Sequence, residues 1–280
     1  MERIKEAIQR AKAERGSQTL MPPGADEAQA LPSVVAVPNP ASDLERIEYR
    51  DTRIVQLDPE HLERNRIVAY DPNDSRAAVF DLLRTQVVQG MRSHGWRSLG
   101  VVSPTPACGK TLVAINLAMS LAQQASQTVL LADFDLRRPK LAEYLGLTGR
   151  HSLVDVIEGR VPLASALVNP GLPRLVVLPN HQAVTKSATV LSSPRTKALV
   201  SELKDRYESR FVVFDLPPLL PTDDAIAFMA QIDCVLLVVT QGHSTESDVK
   251  ESLRLLQPFH LLGTVLNKSD SGPKKYGKYY

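Results

Sequence analysis

The chain has 280 residues, with 33 Lys and Arg against 31 Asp and Glu, a formal net charge of +2. That balance excludes a dedicated nucleic-acid binder, which carries a strong basic excess, while 43% hydrophobic residues supply ample core. Cys108 and Cys234 are too few for a disulfide framework, no apolar run approaches the roughly 20 residues of a membrane span, and the charged opening MERIKEAIQRAKAERG lacks a signal peptide's apolar stretch. A cytoplasmic protein of one or two domains is expected.

Residues 1–16 fit a short amphipathic helix, with Ile4, Ala7, Ile8 and Ala11 at helical spacing. A docking helix and a frayed tail are both open readings. Residues 17–52 read as a linker, because the stretch 17–42 has five prolines and no Lys or Arg. An ordered domain is expected over 53–268 and a flexible tail over 269–280. In the domain, RIVQL suggests a short strand and DPEHLERN a helical turn opened by Asp58 and Pro59. A firmer helix is predicted from Ser75 to Arg92, with Val79, Leu82, Leu83, Val87 and Met91 on one face.

Short β-rich runs then alternate with helical patterns. The runs are 98–102, 128–132, 175–179, 211–215, 234–239 and 262–267, and the helices about 110–123, 139–146, 193–207, 222–229 and 245–257. Continuous apolar strands separated by helices imply an α/β fold, a mostly parallel sheet covered by helices on both faces. In such sheets ligands bind outside the carboxyl ends of the strands.

The residues at those ends carry chemistry. SPTPACGKT follows the first main strand and leads into an amphipathic helix. Gly109, Lys110 and Thr111 match the end of a phosphate-binding loop, in which backbone amides and a helix N-terminus face phosphate oxygens. Lys110 would reach the β- and γ-phosphates and the Thr111 hydroxyl would ligate Mg²⁺. The strict pattern needs glycine where Pro104 stands, and GKT alone is a weak signal. The second strand ends in ADFDLRRPK, where Asp133 and Asp135 lie two apart, point the same way if the segment is extended, and need a shared cation or arginine partners. Asp215 ends FVVFD before Leu-Pro-Pro, a Walker B arrangement. A phosphate loop, a Thr hydroxyl and three carboxylates describe an ATP and Mg²⁺ site. The last five residues hold Tyr276, Tyr279 and Tyr280 among lysines; on composition alone, a solvated sticky tail is the simpler reading.

Taken together, SPTPACGKT, VLLADFDLRRP, VVFDLPP and KKYGKYY, in this order, resemble the bacterial tyrosine kinase (BY-kinase) family over about residues 70–280. The resemblance implies a P-loop NTPase fold and an ATP-dependent autokinase that phosphorylates Tyr276, Tyr279 and Tyr280, in trans, and regulates exopolysaccharide or capsule polymerisation and export. It implies Lys110, Asp133, Asp135 and Asp215 as catalytic residues, with Asp133 as the carboxylate that helps deprotonate the phenol. Nucleotide contacts fall on Pro106, Ala107, Cys108, Gly109, Lys110, Thr111, Leu112, Arg137 and Asn267, and Mg²⁺ on Thr111, Asp135 and Asp215. It implies as partners the cytoplasmic segment of a membrane polysaccharide co-polymerase, further copies of the chain and a phosphotyrosine phosphatase, with no nucleic acid. The location implied is cytoplasmic, peripheral to the inner membrane through that partner.

The chain departs from the family pattern at three places. Ala107 and Cys108 replace the usual Gly-Glu of the loop, so Ala107 is strained if the position needs φ > 0, and Cys108 is either a low-pKa thiol or a small neutral filler. The E-x-x-R-x-x-R assembly pattern becomes Ala78, Asp81 and Arg84, retaining only the last. A regulatory ATP-binding switch with little kinase activity is therefore one alternative. A septum or partition ATPase is the other; its signature lysine falls at Thr105 here, which counts against it.

Overall fold

Alternation along the strands decides the layering. In β3 (Thr128–Asp133), Val129 and Leu131 enter one hydrophobic core while Leu130 and Ala132 enter a second, and all four are buried. A strand buried on both faces must be covered twice, so the sheet forms the middle of three layers. The computed structural model describes residues 52–124, 126–206 and 209–269. The expected helix at 1–16, the linker as far as residue 51, and the tail from residue 270 with its three tyrosines lie outside the described residues.

The chain enters through β1 (Arg53–Ile54) and α1 (Pro59–Arg64), where Asp58 caps the amide of Glu60 ahead of Pro59, as the sequence suggests. A 3₁₀ turn over Ser75–Ala77 leads into α2 (Ala78–Ser93), followed by β2 (Ser98–Val102), α3 (Lys110–Ala122) and β3. Next come α4 (Leu141–Leu145), α5 (Leu153–Ile157), α6 (Leu163–Ala166), β4 (Val168–Asn169) and β5 (Leu175–Leu178). The last part runs α7 (Ser187–Leu191), α8 (Pro194–Asp205), β6 (Arg210–Asp215), α9 (Asp224–Met229), β7 (Cys234–Thr240), α10 (Glu246–Leu256) and β8 (Leu261–Asn267).

The six apolar runs predicted as strands are β2, β3, β5, β6, β7 and β8, and they are parallel to one another. The eight-stranded order is β1-β4-β5-β3-β6-β2-β7-β8, and β4 is antiparallel to β5. The expected strand over 53–57 shrinks to two residues because its partner β4 is itself only two long. Helices α5, α6 and α7, of four or five residues each, lie outside the helices expected from the sequence. Local capping explains α5, where Ser152 and Asp155 form a reciprocal box.

Helix α3 is buried on nearly every side, which explains its weak amphipathicity. Its Asn116 accepts hydrogen bonds from the amides of Val68 and Ala69 and donates to the carbonyl of Arg66, tying the incoming chain to the core. The chain leaves β2 on one side for β3 and β6 and on the other for β7, so the crevice above β2, β6 and β3 is the topological switch point. The register is close there: Asp215 lies opposite both Val101 and Asp133.

Candidate nucleotide site

The loop after β2 is held by its carbonyls. His243 Nε2 lies 3.1 Å from the Pro106 oxygen, Lys268 Nζ donates to Ala107 at 2.9 Å, and Asn267 Nδ2 and Thr240 Oγ1 both donate to Cys108 at 2.9 Å. With three successive carbonyls turned towards the ends of β7 and β8, the amides of the loop and of the first turn of α3 are left for the crevice, where they form an anion-binding surface. The turn demands left-handed backbone: φ is 63° at Ala107 and 85° at Gly109. Ala107 thus carries the strain anticipated from the sequence. A Cβ on Gly109 would stand 2.2 Å from Asn267 Nδ2, so only glycine fits.

Lys110 opens α3 and turns back across the crevice. Its Nζ lies 2.8 Å from an Asp135 oxygen and 3.2 Å from Asp215, while Thr111 Oγ1 donates to the other Asp215 oxygen at 2.6 Å. Three strand ends, those of β2, β3 and β6, therefore meet on one ammonium group. Burial is the strongest influence on Lys110 and opposes its charge, but the Asp215 and Asp135 carboxylates outweigh it and hold the ammonium above its ordinary range. Burial also pushes the Asp215 carboxyl up, against the pull of Lys110 and Thr111.

A cavity of about 550 Å³ opens over this cluster. The loop residues Pro106, Ala107, Gly109, Lys110 and Thr111 form one wall, Asp135, Arg137, Arg138 and Lys140 another, and Pro217 and Pro218 a third. The predicted site residues divide accordingly. The side chains of Cys108, Leu112 and Asn267 do not line the cavity: Leu112 packs against the core, and Asn267 holds the loop from behind. Cys108 is fully buried among Thr105, Thr240 and Ser244. Burial pushes its thiol up, but hydroxyl groups led by Thr105 and Ser244 bring it below its ordinary range.

Asp133 and Asp135 do not point the same way. Asp133 is fully buried and accepts the amides of Asp135 (3.2 Å), Lys140 (3.2 Å) and Leu141 (3.0 Å), so it anchors the loop after β3. Burial, reinforced by the charge of Asp215, pushes its carboxyl well above the usual carboxylate range. Asp135 is the member of the pair that faces the cavity. The two-residue alternation expected of an extended segment fails because β3 ends at Asp133 and Asp135 lies beyond it.

One arrangement was invisible in the sequence. Arg137, on the cavity wall, pairs with the buried Asp224 at the start of α9, and Ser187 Oγ donates to the same carboxylate at 2.7 Å. Nothing in local spacing connects residues 137, 187 and 224. The Asp-Asp pair at the predicted helix start was the available signal, and it reads equally well as an ordinary cap.

The assembly positions are used internally. Arg84 Nη1 donates to Asp81 at 2.8 Å and to the Ser120 carbonyl at 3.1 Å, and Ser120 Oγ donates to Asp81, so this group ties α2 to α3.

A parallel sheet with this loop, lysine, hydroxyl and Walker B carboxylate defines a P-loop NTPase, a nucleotide-binding fold. A family model described as ParA, NUBPL iron-transfer P-loop NTPase, matches residues 97–277, and the chain belongs to that family. Curated proteins similar to the chain include bacterial tyrosine kinases and exopolysaccharide proteins, and solved structures similar to it include the septum site-determining protein MinD of Pyrococcus horikoshii OT3, with a TM-score of 0.52 at 26% identity over 62% of this chain and 72% of that one. The tyrosine-protein kinase YwqD of Bacillus subtilis (strain 168) is 29% identical over 222 residues, 78% of this chain and 92% of that one. The succinoglycan biosynthesis transport protein ExoP of Rhizobium meliloti (strain 1021) is 29% identical over 236 residues, 77% of this chain and 30% of that protein. The solved kinase domain of the Escherichia coli tyrosine kinase ETK superposes with a TM-score of 0.67 at 26% identity, covering 87% of this chain and all of that domain. The chain spans only 27% of the length of other curated relatives. Among the described residues, no helix is long and apolar enough to cross a membrane.

Proposed function

We propose that the chain is an ATP-dependent protein-tyrosine autokinase, acting on Tyr276, Tyr279 and Tyr280 of a neighbouring copy. The observation that carries this is the convergence of Lys110, Thr111, Asp135 and Asp215 beneath a cavity with three further basic side chains. Phosphoryl transfer depends mainly on positioning and charge neutralisation, which such a site supplies. The loop amides and Lys110 hold the phosphates, for which Lys110 exchanges its carboxylate partners. Arg137, fixed by Asp224, and Arg138 stabilise charge on the transferred group.

Thr111, Asp135 and Asp215 offer the hard oxygen ligands Mg²⁺ prefers. An ion held there would draw its other ligands from phosphate and water. When bound, the ion neutralises charge on the phosphate oxygens. In the reaction the phenol oxygen bonds to the γ-phosphorus, the bond to the β–γ bridging oxygen breaks, ADP leaves, and the phenol proton passes to a carboxylate. With Asp133 occupied by three amides, the geometry favours Asp135 for that proton, and Asp133 as a positioning residue.

The partners, by kinship with exopolysaccharide proteins, are the cytoplasmic segment of a polysaccharide co-polymerase and a phosphatase that resets the tail. Lys268, directly after the last strand, donates to the Ala107 carbonyl of the P-loop. The test is incubation with radiolabelled ATP and Mg²⁺, followed by mass spectrometry of the tail. Label on Tyr276, Tyr279 or Tyr280 that disappears in Lys110→Met is expected. ATP hydrolysis without phosphotyrosine would point to the switch or partition reading.

A further inference from the structure

A second cavity, of about 450 Å³, lies on the same carboxyl-terminal rim of the sheet, at the β4–β5 end and beyond β3 from Asp215. Four basic side chains line it: Arg53 of β1, Arg150 and His151 from the loop after α4, and His181 after β5. No carboxylate lines it, whereas the nucleotide cavity mixes its lysines and arginines with Asp135 and Glu143. Arg53 Nη2 donates to the Thr148 carbonyl, which steadies the guanidinium at the wall. Among the described residues, the side chains of Arg150, His151 and His181 have no hydrogen-bond or ion-pair partner.

The cluster holds two arginine charges that no carboxylate on the cavity wall meets, and arginine forks suit phosphate in particular, while His181, which burial holds below its ordinary range against the pull of Asp155, adds a ring nitrogen for hydrogen bonding. Much of the remaining wall is apolar, including Leu147, Leu167 and Val168, with Thr148 and Ser165 as its polar members. A basic rim over an apolar wall fits a ligand with a phosphate at one end and a ring at the other. The volume is ample for one aromatic side chain, within the usual range of small-ligand sites.

We propose that this cavity binds an aryl phosphomonoester, and that the phosphotyrosine of a second copy's tail is its occupant. The choice of tail rests on the kinase reading above; the phosphomonoester site does not. Charge supports the choice. Residues 268–280 hold four lysines and one aspartate, so the unmodified tail is repelled by the basic cavity. Each phosphotyrosine adds about −1.5 to −2 charges, and three reverse the tail's sign. Phosphorylation would then move the tail from a neighbour's catalytic cavity to this one, where the product is held away from ATP.

The experiment uses the full-length chain, phosphatase-treated, in the presence of saturating ATP analogue to occupy the first cavity. Fluorescence anisotropy follows a synthetic peptide of residues 269–280, either unmodified or phosphorylated on all three tyrosines. The phosphopeptide is expected to bind at least about tenfold more tightly than the unmodified one, and the Arg150→Ala/His181→Ala variant to lose about tenfold, as for loss of a charge-assisted hydrogen bond. Arg150 and His181 are exposed, so the variant should fold, which circular dichroism checks. Equal affinity in wild type and variant, or phosphopeptide binding that is seen only when the ATP analogue is left out, overturns the site. Inorganic phosphate binding as tightly as free phosphotyrosine overturns the aryl assignment. Because the peptide is synthetic, autophosphorylation without phosphopeptide binding sinks this inference and leaves the kinase reading intact, while phosphopeptide binding by a chain that makes no phosphotyrosine does the opposite.

Discussion

Replacing Lys110 by methionine tests both the chemistry and the physical account of the site. The ammonium is the shared partner of Asp135 and Asp215, and Asp215 is fully buried. Removing one side of a buried pair leaves an uncompensated charge, at a cost of about 3–5 kcal/mol. For a domain of this size that corresponds to a fall in Tm of about 6–20 °C. The loss should depend on pH with a definite sign. Burial already raises the Asp215 carboxyl above its unfolded value, and Lys110 is the main influence pulling it down. Without Lys110 the folded value climbs further. A carboxyl raised in the folded state supports folding below its unfolded value, and that support vanishes as pH rises through the folded value. Lys110→Met should therefore cost more at about pH 8.5 than at about pH 6 in urea titrations. Adding Asp215→Asn should recover about 1–3 kcal/mol of the loss, the range for directly coupled neighbours. A loss that is the same at both pH values, or that Asp215→Asn deepens, would refute the reasoning.

Gly109→Ala forces an L-residue into φ 85° and drives its Cβ against Asn267. Strain of about 1–2 kcal/mol plus one lost hydrogen bond of about 1 kcal/mol should appear in chemical denaturation, together with weakened nucleotide binding. Asp133→Asn cannot accept amides on both sides and should destabilise by about 1–3 kcal/mol with a smaller loss of rate, whereas Asp135→Asn, which also removes a buried partner of Lys110, should lose at least about a hundredfold in transfer rate per folded molecule. The reverse pattern would return the proton-accepting role to Asp133. Asp224→Asn should loosen Arg137 and raise the KM for ATP by about tenfold with a smaller change in kcat, as for loss of a charge-assisted hydrogen bond; an unchanged KM would mean that Arg137 needs no such support.

Much of this molecule is written locally. Runs such as LVVL and FVVF are apolar at every position, which only strands covered on both faces tolerate, and that pattern determines the parallel sheet and its two coverings, the partly exposed edge strand β8 excepted. GKT after the first strand and the aspartate closing FVVFD likewise announce a phosphate loop and a Walker B carboxylate, because each motif is a short piece of backbone whose pattern lies in its own residues. Ala107 even shows where strain would fall. What the sequence leaves open is which groups separated by many residues meet. Only the strand order sets Asp215 opposite Asp133, lets Lys110 span Asp135 and Asp215, and brings Asp224 to Arg137 and Asn267 beneath the loop. The two aspartates two residues apart looked equivalent, yet one faces three amides and the other a cavity, because the strand stops between them. The second basic cavity joins residues from β1, the loop after α4 and the end of β5, none of them remarkable alone. Such juxtapositions depend on crossovers and register, which arise from packing the whole sheet and leave no periodic trace in any one segment.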